Sequence, residues 1–106
     1  MTKQHFNQRI AMVGYVYILK CGNGSYYTGS TKDLNQRLLQ HQLGLGSNHT
    51  RKYQPVELVY YEKFNRVYLA FQREKQIQKW TRAKKIALIE GNLEALKLKS
   101  KCREPL

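Results

Sequence analysis

The chain has 106 residues, 42% of them hydrophobic and 11% aromatic, which fits one domain with a single packed core rather than two domains. Nineteen Lys and Arg against seven Asp and Glu leave a formal charge of +12, a surplus that repels itself unless a polyanion is near, so nucleic acid is the first partner to consider. The apolar runs are strand-sized, which argues against a membrane partner, and two cysteines, Cys21 and Cys102, are too few for a disulfide framework or a cysteine-held zinc.

Residues 1–12 are polar without a clear period and are set apart as an N-terminal extension that lacks the apolar region of a signal peptide. An intracellular, cytoplasmic setting is expected, with room for association with the nucleoid. Tyr15-Val16-Tyr17-Ile18-Leu19 alternates as a strand, with Tyr15, Tyr17 and Leu19 on one face and Val16 and Ile18 on the other. Cys21-Gly22-Asn23-Gly24-Ser25 supplies a tight hairpin loop, and Ser25-Tyr26-Tyr27-Thr28-Gly29 is the returning strand. A turn centred near Asn23 puts Tyr17 and Tyr27 on the same face, diagonally within reach.

Ser30-x-x-Asp33 reads as a capping signal for a helix from Lys32 to Leu43. Leu34 and Leu38 mark its buried stripe, and Arg37 and His41, one turn apart, border that stripe. Residues 44–52 are glycine-rich, polar and basic, a mobile loop whose backbone donors could meet phosphate, and Pro55 closes it. Val56 to Phe64 is rich in β-branched and aromatic residues and is expected as a third strand near the centre of a small sheet. Asn65 then caps a helix from Arg66 to Trp80, with Val67, Ala70, Phe71 and Ile77 inward. Glu74 falls on the same stripe, where a carboxylate is costly unless a cation or donors meet it. Trp80 is expected in the core. Thr81 caps a short helix running to Glu90, Gly91-Asn92 breaks it, and a basic helix or tail (92–106) follows the expected domain at 13–91.

Each of these side chains has an ordinary reading. Strand tyrosines pack with solvated hydroxyls, Arg37 and His41 form a solvated helix edge, Glu74 pairs with a neighbouring cation, and His5 and His49 are incidental. What weighs against that reading is the grouping: phenols, a guanidinium and an imidazole at the same strand ends, beside a helix N-terminus suited to a phosphate.

Tyr15-Val16-Tyr17, then Tyr27-Thr28-Gly29, the Asp33-Leu34-x-x-Arg37 helix, His41, the Pro55-Val56-Glu57-Leu58-Val59-Tyr60 strand and Arg73-Glu74 together resemble the GIY-YIG nuclease superfamily. The similarity is to its small single-domain branch, related to the N-terminal domain of the bacterial excision-repair endonuclease, and it runs from Val13 to Leu88. Here the first tripeptide opens on Tyr15 rather than glycine, Thr28 stands where isoleucine or valine is usual, and Asn92 is the one asparagine after Glu74.

The resemblance implies an α+β fold, a three-stranded sheet flanked by helices, that cuts structured or damaged DNA in repair or recombination. It implies one divalent metal, Mg²⁺ or Mn²⁺, held by Glu74, and no small-molecule cofactor. Tyr27 would take the proton of the attacking water with help from Tyr17. Arg37 would stabilise charge on the phosphate, and His41 would orient it or assist proton transfer. Gly29, Lys32, Arg51, Lys52 and Arg73 are the candidate nucleic-acid contacts. The alternative is a non-catalytic nucleic-acid-binding module with the same fold; no oligomeric state is specified.

Overall fold

The computed structural model describes residues 12–91; the expected extension at 1–11, Asn92 and the basic C-terminal helix lie outside the described residues. Strand β1 (Gly14–Lys20) turns back through Cys21–Ser25 into β2 (Tyr26–Thr31), and the antiparallel register sets Tyr17 opposite Gly29 and Leu19 opposite Tyr27. The Gly24 amide donates to the Cys21 carbonyl at 2.8 Å, which closes the expected turn. Tyr17 and Tyr27 therefore share a face as diagonal neighbours.

Strand β3 (Glu57–Phe64) pairs antiparallel with the other side of β1, giving the order β2-β1-β3. The expectation that the third strand is central is thus corrected: β1 is the middle strand and β3 an edge. β-branched and aromatic enrichment reports a pleated, half-buried surface, which an edge strand between two helical layers also has. The burial makes the same distinction. Val16, Tyr17, Ile18 and Leu19 are all essentially inaccessible, whereas every position of β3 is half-buried or exposed.

Helices cover both faces, as the alternation in β1 requires. Val16 and Ile18 pack with Ile77 and Leu88, flanked by Val59, Tyr60, Phe64 and Trp80. Tyr17 and Leu19 pack with Cys21 and Val56, flanked by Tyr27, Leu34, Leu38, Tyr53 and Leu58. Trp80 is only partly buried, at the rim, with the Lys84 ammonium 4.2 Å from its ring centre. Among the described residues no helix is long and apolar enough to cross a membrane.

Helix α1 (Leu34–Gln42) starts later than expected, because Asp33 and not Ser30 is its cap: the Asp33 carboxylate accepts from the Gln36 amide at 3.0 Å. The segment expected as a mobile loop contains a five-residue helix, α2 (Asn48–Lys52), set by a reciprocal capping box between Ser47 and Thr50. Helix α3 (Val67–Gln78) is capped from Arg66 without a side-chain bond, so Asn65 does not take the role its type suggests. Phe71, expected inward on this helix, is 51% exposed, while Ala70 and Ile77 are buried. Thr81 caps α4 (Arg82–Ile89) through the Lys84 amide at 3.2 Å, as expected.

Candidate active site

Strand β2 is an edge, and its pleat divides the site between the two faces of the sheet. Gly29 faces with Tyr17 toward α1, and Ser30 faces with Val16 toward α3. On the α1 side the Tyr17 hydroxyl lies 2.9 Å from His41 Nε2, and both residues are only 1% exposed. The expectation that His41 borders the stripe is corrected, since it continues that stripe: Leu34, Leu38 and His41 recur at helical spacing and meet the sheet together. Two glycines make this possible. A Cβ at Gly29 would collide with the Tyr17 phenol, and one at Gly46 would collide with the His41 ring.

The far side of the imidazole is held as firmly. His41 Nδ1 is 2.7 Å from Oγ1 of the fully buried Thr50. That hydroxyl also accepts from the Ser47 amide at 3.2 Å and has the Ser47 carbonyl at 3.2 Å as an acceptor for its proton. With the proton placed there, Nδ1–H donates to Thr50 and the Nε2 lone pair accepts from Tyr17. Tyr27 closes the group, its ring 5.2 Å from the His41 ring and 6.5 Å from that of Tyr17, and it stacks on His49 at 6.2 Å. His49 is therefore not incidental: its Nε2 meets Ser25 Oγ at 2.8 Å, tying α2 to the hairpin.

The electrostatics keep both central groups neutral. Burial, reinforced by Tyr27, pushes the Tyr17 phenol up to about 12 against the lowering effect of Arg37. Burial and then the Arg37 guanidinium push His41 below its ordinary value, so its imidazole is uncharged near neutral pH. Arg37, half-buried beside the phenol, donates from Nε to Gln40 Oε1 at 3.0 Å.

On the α3 side stands Glu74. Ser30 Oγ donates to its Oε1 at 2.5 Å and Gln78 Nε2 donates to its Oε2 at 2.8 Å. Both donors are neutral, so these contacts orient the carboxylate without cancelling its charge. A single carboxylate beside the Ser30 hydroxyl offers hard oxygen donors, which fit one hard divalent cation that keeps much of its water. Among the described residues no cluster of three or more His, Cys, Asp or Glu offers a fuller cage.

The other expected contacts are dispersed. Lys32 is exposed and lines a groove of about 560 Å³ between α1 and α3, together with Ser30, Arg37, Tyr68 and Phe71. Gly29 is buried against Tyr17, which is the packing reason for a glycine there. Arg51 and Lys52 lie on α2, the former donating to Asn48 at 3.1 Å and the latter over the Tyr53 ring at 5.3 Å. Arg73 is committed elsewhere: its Nε and Nη2 reach the Glu62 carboxylate at 2.9 and 3.0 Å, and its guanidinium lies over Trp80. Thr50, His49, Ser30 and Gln78 are site residues that the sequence reading missed. The Ser47-x-x-Thr50 capping pattern and the one-turn spacing of Glu74 and Gln78 are the signals that could have found two of them.

A family model described as the GIY-YIG catalytic domain matches residues 13–87. The UPF0213 protein of Bacillus pumilus is 47% identical over 76 residues, which is 72% of this chain and 78% of that protein. A UPF0213 protein of Staphylococcus epidermidis is 43% identical over 76 residues, covering 72% of this chain and 93% of the relative. The solution structure of a UPF0213 protein from Bacillus halodurans superposes with a TM-score of 0.51 at 37% identity, over 76% of this chain and 86% of that one. With the paired tyrosines, Arg37, His41 and Glu74 arranged about one edge of the sheet, and with the family model spanning most of the chain, this protein belongs to the GIY-YIG family.

Proposed function

We propose that the protein is a metal-dependent DNA endonuclease acting on structured or damaged DNA in repair or recombination. The observation that carries this reading is the Tyr17–His41 contact, with Tyr27 and Arg37 beside it, across the β2 edge from a Glu74 carboxylate that accepts from the neutral Ser30 and Gln78 side chains. Arg37 binds the non-bridging oxygens of the scissile phosphate and offsets the charge that develops there. Tyr27, partly exposed, orients the attacking water and passes a proton inward. Tyr17 stays protonated near neutral pH and relays that proton to Nε2 of the neutral His41. Glu74 is the residue that would hold Mg²⁺ or Mn²⁺, and an ion held there would lower the pKa of a water and stabilise the leaving oxygen.

The test is cleavage of a panel of branched, nicked, single-stranded and duplex DNA with Mg²⁺ or Mn²⁺ and with a chelator. The expected result is cutting of at least one substrate, abolished by the chelator and reduced by about two orders of magnitude or more in Glu74→Ala. Undiminished cutting in the chelator contradicts the reading. Binding without cutting of any substrate, indifferent to Glu74→Ala, returns the chain to the non-catalytic alternative.

A further inference from the structure

Two aromatic rings beside the site have no part in the chemistry above. Tyr68 and Phe71 are 59% and 51% exposed, one turn apart on α3, and both line the groove that also contains Ser30, Lys32 and Arg37. They continue the helical stripe that carries Glu74. Phe71 stands roughly 4.5 Å before it along the helix axis and Tyr68 about 9 Å before it, the reach of the nucleotides next to a phosphate at the site.

Charge surrounds these rings. Lys32 and Arg37 are in the groove, and the Lys75 ammonium lies 4.7 Å over the Phe71 ring. Ring faces interleaved with cations suit an unpaired nucleotide, whose base stacks on the ring while its phosphate meets the cation. A duplex keeps its base faces inside the stack and offers such a groove only phosphates. A second copy of this chain is disfavoured as the occupant, because both partners would bring the same positive charge.

We propose that the groove between α1 and α3 is a subsite for unpaired DNA nucleotides, with Tyr68 and Phe71 stacking the bases next to the scissile phosphate. The preferred substrate is then a single strand, flap or bulge rather than a fully paired duplex. This deepens the nuclease reading and rests on it for the position of the scissile bond.

The test is binding, read in chelator so that nothing is cut. The full-length protein is titrated with a single-stranded oligonucleotide carrying 2-aminopurine and with the same strand annealed to its complement. The single strand is expected to bind more tightly, with its emission quenched by stacking. Tyr68→Ala and Phe71→Ala are each expected to weaken single-strand binding by about five-fold or more and to leave duplex binding unchanged. Both side chains are at the surface, and circular dichroism checks that the fold survives. Equal losses on both DNAs, no loss on either, or unquenched emission overturns the proposal. So does an effect confined to self-association in sedimentation, which would make the groove a protein interface. Quenched, ring-dependent binding by a protein that cuts no DNA removes the nuclease reading and leaves the subsite standing; cutting indifferent to both substitutions removes the subsite alone.

Discussion

At the scale of single residues, the imidazole of His41 is controlled from both ends. Tyr17 meets Nε2 and Thr50 meets Nδ1, and burial with Arg37 keeps the ring uncharged. Thr50→Val retains shape and deletes the hydroxyl, leaving a buried ring nitrogen unpaired. It is expected to cost about 1–3 kcal/mol in denaturant unfolding, to slow cleavage and to shift the acid limb of its pH profile, while Thr50→Ser restores all three. The sign of the pH effect follows from the lowered pKa. Below about 6.5 the unfolded chain takes up a proton at His41 that the folded chain refuses, so stability is complete above that pH and is lost as pH falls toward the lower folded value. Urea unfolding at several pH values should show this loss in the wild type and a smaller one in His41→Gln. Arg37→Ala should depress the cleavage rate more than ground-state DNA affinity, because its guanidinium meets charge that appears only on the way to the transition state.

At the scale of elements, much was legible and the exceptions have physical causes. The alternation of β1 announced both faces of the core, and the Thr81 cap of α4 was readable because a threonine at a helix start has one strong local use. Thr81→Ala should therefore lower stability by about 1 kcal/mol without changing cleavage, as a chemical-unfolding curve beside a nuclease assay would show. Ser30 looked like a cap but its hydroxyl is claimed by Glu74, 44 positions away in sequence, and no local pattern encodes that. Helix α2 was hidden because five residues following two glycines carry no period, although they deliver Thr50 and His49 to the site. Phe71 fits the inward spacing of α3, yet that part of the stripe opens to the groove beside α1 instead of the core. The identities of Tyr17, Tyr27, Arg37, His41 and Glu74 were readable as a resemblance. Their division across the two faces of β2 emerged only from the strand register.

At the scale of the whole molecule, a charge of +12 acts at long range and without sequence preference. DNA affinity should fall with salt at a log-log slope of about 0.9 per phosphate contacted on duplex and about 0.7 on a single strand; a salt-insensitive complex would remove the electrostatic account of binding. In the mechanism proposed above, that charge draws the polyanion to the site, and Tyr27, partly exposed and packed on His41, meets the attacking water. Tyr27→Phe keeps the ring and its packing on His41 and removes only the hydroxyl. The most direct measurement is single-turnover cleavage by this variant of a DNA that the wild type cuts, with affinity and circular dichroism followed in parallel. The rate should fall by about two orders of magnitude or more with binding and fold unchanged; cleavage at the wild-type rate would contradict the assignment of Tyr27 and the proton path through Tyr17 and His41.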